Sequence, residues 1–139
     1  RGEIFQNYFK IIHFEFFKLQ RISKPLQYRA KPYIVGIIFI ETSIFTKLVS
    51  SYLTDDEYRG LQSFLFEYPD TGKIVRGSGG VRKLRWAVAG KGKSGGVPVI
   101  YYWKQVDDEI WLLTIFSKSE RDSIPSHILR QIAEALKNG

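Results

Sequence analysis

Gly79-Gly80-Val81-Arg82-Lys83-Leu84-Arg85-Trp86 is followed by Gly90-Lys91-Gly92-Lys93-Ser94-Gly95-Gly96 and then by Val99-Ile100-Tyr101-Tyr102-Trp103: a basic strand, a glycine-lysine loop and an aromatic strand. Alternation along residues 81–88 puts Leu84, Trp86 and Val88 on one face and Lys83 and Arg85 on the other, so a half-buried strand offers two cations side by side. Arg82 falls on the apolar side, near its edge. From Thr71 to Val106 there are eight Lys/Arg, eight Gly and no Asp or Glu. Uncompensated positive charge on closely approachable backbone points to a polyphosphate partner, RNA first.

The elements around this stretch follow from periodicity. Residues 37–41 form a short β-branched strand, and Ile44, Phe45, Leu48, Val49, Tyr52 and Leu53 repeat as one buried helix face, capped by Thr42 or Ser43. Thr54-Asp55-Asp56-Glu57 is a capping box, in which Thr54 and Glu57 satisfy each other's backbone donors. Tyr58, Leu61, Phe64, Leu65 and Tyr68 are the expected inner face of that second helix, which Pro69 and the Asp70-Thr71-Gly72 turn end. Residues 97–104 and 110–116 are the next strands, joined through Asp107-Asp108; the latter is apolar on both faces, as a central strand covered by helices is. Ile128, Leu129, Ile132, Ala133 and Leu136 mark an amphipathic terminal helix. The expected fold is compact α+β: an antiparallel sheet with two N-terminal helices and one C-terminal helix.

Composition bounds the rest. A chain of 139 residues, 44% hydrophobic, buries one ordinary core. Its formal charge of +7 is uneven: residues 1–36 carry seven Lys/Arg against two Asp/Glu, residues 37–139 fourteen against twelve, so the body is only +2. The basicity is a patch. With no cysteine there is no disulfide framework, thiolate metal site or cysteine nucleophile, which fits a reducing cytoplasm. The longest apolar run, residues 33–40, is far short of the ~20 residues that span a bilayer.

Residues 1–36 stand apart from the domain. Ile4, Phe5, Tyr8, Phe9, Ile12 and Phe16 recur at roughly helical spacing, but Phe14, Phe17 and Leu19 spread apolar groups around the wheel, and Pro25 and Pro32 interrupt any continuation. An appended segment, docked on the domain or poorly ordered, is expected over a membrane-surface helix. The pattern is not that of a secretory signal.

The combination of Gly79 to Arg85, Gly90 to Gly96, Val99 to Trp103, Leu112-Leu113-Thr114-Ile115-Phe116-Ser117-Lys118-Ser119-Glu120 and the opening Ile38-Phe39-Ile40-Glu41-Thr42 resembles the HigB branch of RelE-type toxins over residues 37–139. On that resemblance, residues 1–36 are upstream sequence ahead of a start near Ile37 or Ile38. The resemblance implies a bacterial, cytoplasmic toxin of a type II toxin–antitoxin system. Such toxins cleave mRNA on the translating ribosome, by 2′-hydroxyl attack on the adjacent phosphate, with no metal or cofactor. The implied partners are the ribosome, mRNA and a helix-turn-helix, HigA-like antitoxin that alone touches operator DNA; no membrane is involved.

This chemistry needs a base, cations for the charge developing on phosphate, and an acid for the leaving oxygen. The chain has only His13 and His127, separated by the whole domain, so a paired-histidine site is not the expectation and lysine, arginine and tyrosine are expected to act. The resemblance places Lys83 and Arg85 at the family's catalytic and phosphate-binding strand positions, and Lys118 and Glu120 in its polar strand-end motif; a surface ion pair explains the latter two equally well. Lys91 and Lys93 lie in a glycine loop that permits close approach to a phosphate backbone, or a plain flexible hairpin. Of Tyr101 and Tyr102, at least one belongs to the core, leaving one to stack a base or lend a hydroxyl. The expected catalytic set is Lys83, Arg85, Lys93, Lys118 and Tyr101, with Arg82, Lys91, Tyr102 and Glu120 contacting RNA.

Two positions depart from the family pattern. Pro98 stands where relatives carry arginine, and Phe116 where they often carry tyrosine. A catalytically impaired relative that binds antitoxin or ribosome, or a general RNA-binding module, are the alternatives these departures keep open. A nucleotide-hydrolysing phosphate loop is poorly supported: Gly92-Lys93-Ser94 has Ala87 where the motif carries its first glycine, and no helix is expected to follow.

Overall fold

The computed structural model describes residues 21–23, 37–88, 96–117 and 124–138. In chain order the elements are β1 (Arg21–Ser23), β2 (Ile38–Glu41), α1 (Ser43–Tyr52), α2 (Asp55–Glu67), β3 (Lys73–Ile74), β4 (Arg82–Trp86), β5 (Val97–Lys104), a 3-10 turn (Gln105–Asp107), β6 (Glu109–Ile115) and α3 (Ser126–Asn138). The described strands form one sheet in the order β1-β2-β6-β5-β4-β3. The protein is α+β, as the pattern of elements implies.

The sheet is mixed, which corrects the antiparallel expectation. β4 with β5 and β5 with β6 are antiparallel, but β2 lies parallel to β6, with Ile38 opposite Glu109 and Glu41 opposite Leu112. A strand that leaves through two helices and meets the last strand of the sheet 71 residues later can enter in either direction; its own residues do not encode which.

Both faces of the sheet are covered. Phe45, Leu53, Leu61 and Leu65 from the α1–α2 region pack with Phe39, Val99, Tyr101, Ile110, Leu112 and Ile115. On the opposite face Ile128, Leu129, Ile132, Ala133 and Leu136 of α3 pack with Ile40, Ile100, Tyr102, Trp111, Leu113 and Phe116. β5 and β6 are therefore central strands with two apolar faces, the arrangement expected of residues 110–116.

Local signals set the helix ends. Thr42 caps α1, its hydroxyl accepting from the Phe45 N–H at 3.1 Å and donating to the Leu113 carbonyl at 2.7 Å. The capping box of α2 is present: the Thr54 N–H donates to Glu57 Oε1 at 2.9 Å and the Glu57 N–H to Thr54 Oγ1 at 3.2 Å. The buried face of α2 is Leu61, Gln62, Leu65 and Phe66, whereas Tyr68 is 57% exposed. Phe64 instead lies at the side of the helix, its ring tilted against Tyr68 at 5.3 Å and Trp86 at 5.5 Å, so the inner face is turned by about one position from the expected one.

Residues 21–23, within the segment expected to be docked on the domain or poorly ordered, pair antiparallel with β2. The rest of residues 1–36 lies outside the described residues. Among the described residues no helix is long and apolar enough to cross a membrane.

Candidate nucleic-acid interface

β4 alternates as its sequence dictates: Leu84 and Trp86 are half-buried against the α1–α2 core, while Lys83 and Arg85 are exposed on the face that carries α3. Lys83 stands opposite Ile100 and Arg85 opposite Pro98. Positions two apart on a strand put their side chains about 7 Å apart on one face, a separation that two oxygens of neighbouring phosphates can bridge. Among the described residues no carboxylate pairs with either cation.

Three further residues shape this surface. The Lys83 ammonium lies 5.7 Å from the centroid of the Phe116 ring, so Phe116 is the floor beneath it. The Phe116 N–H donates to the Pro98 carbonyl at 3.3 Å, which ties the end of β6 to the start of β5 below Arg85. Gly96 makes room for Arg85: a Cβ there stands 2.4 Å from Arg85 Cγ, closer than such atoms approach, and a tight 3.1 Å from Cδ. Gly96 escapes a search for chemistry-bearing residues; the Gly95-Gly96 pair before Val97 is the only hint of close approach in the sequence.

The flanks of the segments that hold the other expected cations arise at the same end of the sheet. Val88 follows β4, Gly96 precedes β5 and Ser117 follows β6. Lys91, Lys93, Lys118 and Glu120 themselves lie outside the described residues.

Tyr101 is not brought to this surface. It is fully buried on the α1–α2 face, and its hydroxyl accepts from the Gly72 N–H at 2.9 Å and donates to the Pro69 carbonyl at 2.8 Å. Burial pushes its pKa up, opposed by the Gly72 hydrogen bond. Because helices cover both faces of β5, alternation sends Tyr101 into one core and Tyr102 into the other, so the assignment of Tyr101 to catalysis gives way to a structural one. Tyr102 is only 6% exposed, on the α3 side near Gly80, and does not offer an open ring face for a base. Arg82 is likewise engaged: Nη1 donates to the carbonyls of Asp70 and Gly72, at 2.8 Å each, bracing the turn after α2.

A buried polar group escapes sequence patterning altogether. The carboxylate of Glu41, 5% exposed, accepts from Thr46 Oγ1 at 2.7 Å and from the hydroxyl of Tyr58. Burial, and then the bond to Glu41, push the Tyr58 pKa well above that of a free tyrosine. This unit joins β2, α1 and α2 and is a fastening of the fold, set apart from Lys83 and Arg85 by the sheet.

No family model matches the chain.

Proposed function

We propose that the protein is a type II toxin of the RelE/HigB kind, an endoribonuclease that cuts mRNA on the translating ribosome and is neutralised by a helix-turn-helix antitoxin. The observation that carries this reading is the adjacent pair Lys83 and Arg85, exposed, free of carboxylate partners among the described residues and raised on a rigid central sheet. Their positive charge suits a phosphate that gains charge during 2′-hydroxyl attack. Charge stabilisation is the part of the chemistry these two residues supply. Proton transfer falls to Lys93 and Lys118, since Tyr101 is committed to backbone groups of the 69–72 turn. A small net charge on residues 37–139 suits a protein that docks where a ribosome already presents the message rather than one that seizes free RNA.

A second reading, a relative that binds ribosome or antitoxin without cutting, is favoured by Pro98 and Phe116. Arg85 and Lys83 sit beside these two residues, and neither brings a cation or a hydroxyl to them. Primer extension on mRNA from cells expressing the protein separates the two: site-specific breaks that require translation support the nuclease, and growth arrest with intact message supports the binder.

A further inference from the structure

β5 runs on past the end of its neighbour. Its pairing with β4 stops where Tyr101 faces Arg82, whereas its pairing with β6 continues to Lys104 opposite Glu109. Residues 102–104 therefore have a strand on one side and none on the other. Successive strand residues aim their N–H and C=O groups to alternate sides, so at least one of the three directs both into the gap.

That gap opens into a groove of about 630 Å³. Its lips are aliphatic and exposed, Ile74 at 58% and Val106 at 92%. Arg82, Lys104 and Lys137 line it with three positive charges against one carboxylate, Asp107, which Lys104 pairs at 2.8 Å; the balance is three minus one, or +2. Lys137 is steadied at the wall by donating to the Gly79 carbonyl at 3.0 Å. Trp103, also in the lining, holds a buried indole N–H with no acceptor. Exposed aliphatic lips and an open strand edge suit an extended polypeptide, and the covered Tyr102 ring gives no platform on which the bases of a single strand could stack.

We propose that this groove takes an extended segment of an acidic partner polypeptide. The segment adds as a short strand beside residues 102–104, seats an aliphatic side chain between Ile74 and Val106, and directs carboxylates at Arg82 and Lys137. Main-chain bonds supply affinity and the charge pattern supplies selectivity. This interface stands independently of what Lys83 and Arg85 do.

The test is two-dimensional NMR on the full ¹⁵N-labelled chain, titrated with the capped peptide Asp-Glu-Val-Glu-Val-Asp-Glu, with its Val-to-Ser analogue, and with hexauridylate RNA. The expected result is movement of the amides of 102–104 and of the Trp103 indole N–H with the valine peptide. Affinity is expected to fall about tenfold or more in Val106→Asp, in Lys137→Glu and for the serine analogue. Both replaced residues are exposed, and circular dichroism checks that the variants fold. The proposal is overturned by largest shifts at Lys83 and Arg85, by equal binding of the serine analogue or of either variant, by a groove that responds to RNA alone, or by groove signals that depend on protein concentration without peptide. Absence of any shift at about 5 mM peptide overturns it as well.

Discussion

The ammonium of Lys83 rests over the ring of Phe116, 5.7 Å from its centroid, and thereby joins β4 to the end of β6 across the intervening β5. A cation over an aromatic face is worth ~0.5–1 kcal/mol at an exposed site. The ring holds the ammonium in place without neutralising it, which a carboxylate in that position would do. Phe116→Leu is therefore expected to keep the fold, lower stability by about 1 kcal/mol, and reduce the cleavage rate more than substrate affinity. Urea unfolding beside single-turnover cleavage on programmed ribosomes measures both.

Tyr101→Phe separates a strut from a catalyst. Its hydroxyl serves two backbone groups of the turn after α2, so its loss leaves the Gly72 N–H and the Pro69 carbonyl without that partner. We expect a loss of about 1–3 kcal/mol of stability, with the cleavage rate per folded molecule unchanged below the transition temperature. A rate loss of a hundredfold or so in fully folded protein returns Tyr101 to the active site.

Gly96→Ala is expected to act through Arg85. The added methyl occupies the place of Arg85 Cγ, near the root of the side chain, where no rotation of the guanidinium end relieves the clash. The cleavage defect should approach that of Arg85→Ala and should not add to it in the double variant. Full additivity shows that Gly96 acts elsewhere.

Alkaline pH should weaken the fold through its buried tyrosines. Tyr58 and Tyr101 hold their protons more tightly than the ordinary value of 10.0, mainly because burial disfavours the phenolate. At Tyr58 the bond to Glu41 adds to this, and at Tyr101 the Gly72 N–H opposes it. Above pH ~10 an unfolded chain releases these protons while the folded chain keeps them. Stability present below that pH is then lost as pH rises, by up to ~1.4 kcal/mol per unit at Tyr58 and in the same direction at Tyr101. Urea unfolding from about pH 8 to 11 should show this fall, and Tyr58→Phe should make it shallower by one tyrosine's share.

What the sequence made legible was local. Thr54 and Glu57 meet three residues apart, and the alternation of Lys83 and Arg85 with Leu84 and Trp86 needs nothing beyond the pleat of one strand. The direction in which β2 meets β6 was not legible, because Ile38 and Glu109 are 71 residues apart and both directions bury the same apolar side chains. Lys73–Ile74 is too short a strand to show a period. Tyr101 and Tyr102 could not be divided between core and surface, since alternation assigns them opposite faces and only the placement of α3 opposite α1 and α2 shows that both faces are covered. The groove past the end of β4 arises from unequal strand lengths, a property of pairing rather than of any residue type.

The central claim rests on the two cations of β4, and the double variant Lys83→Ala/Arg85→Ala addresses it most directly. Both side chains are exposed on a sheet face, so their removal should change stability by no more than about 1 kcal/mol, the share of the Lys83–Phe116 contact. If they stabilise charge developing on phosphate, cleavage of mRNA on programmed ribosomes should fall by at least about a thousandfold in a single-turnover assay, since one such contact alone is worth ~10²–10³. A folded double variant that cuts at the rate of the unaltered protein contradicts the account.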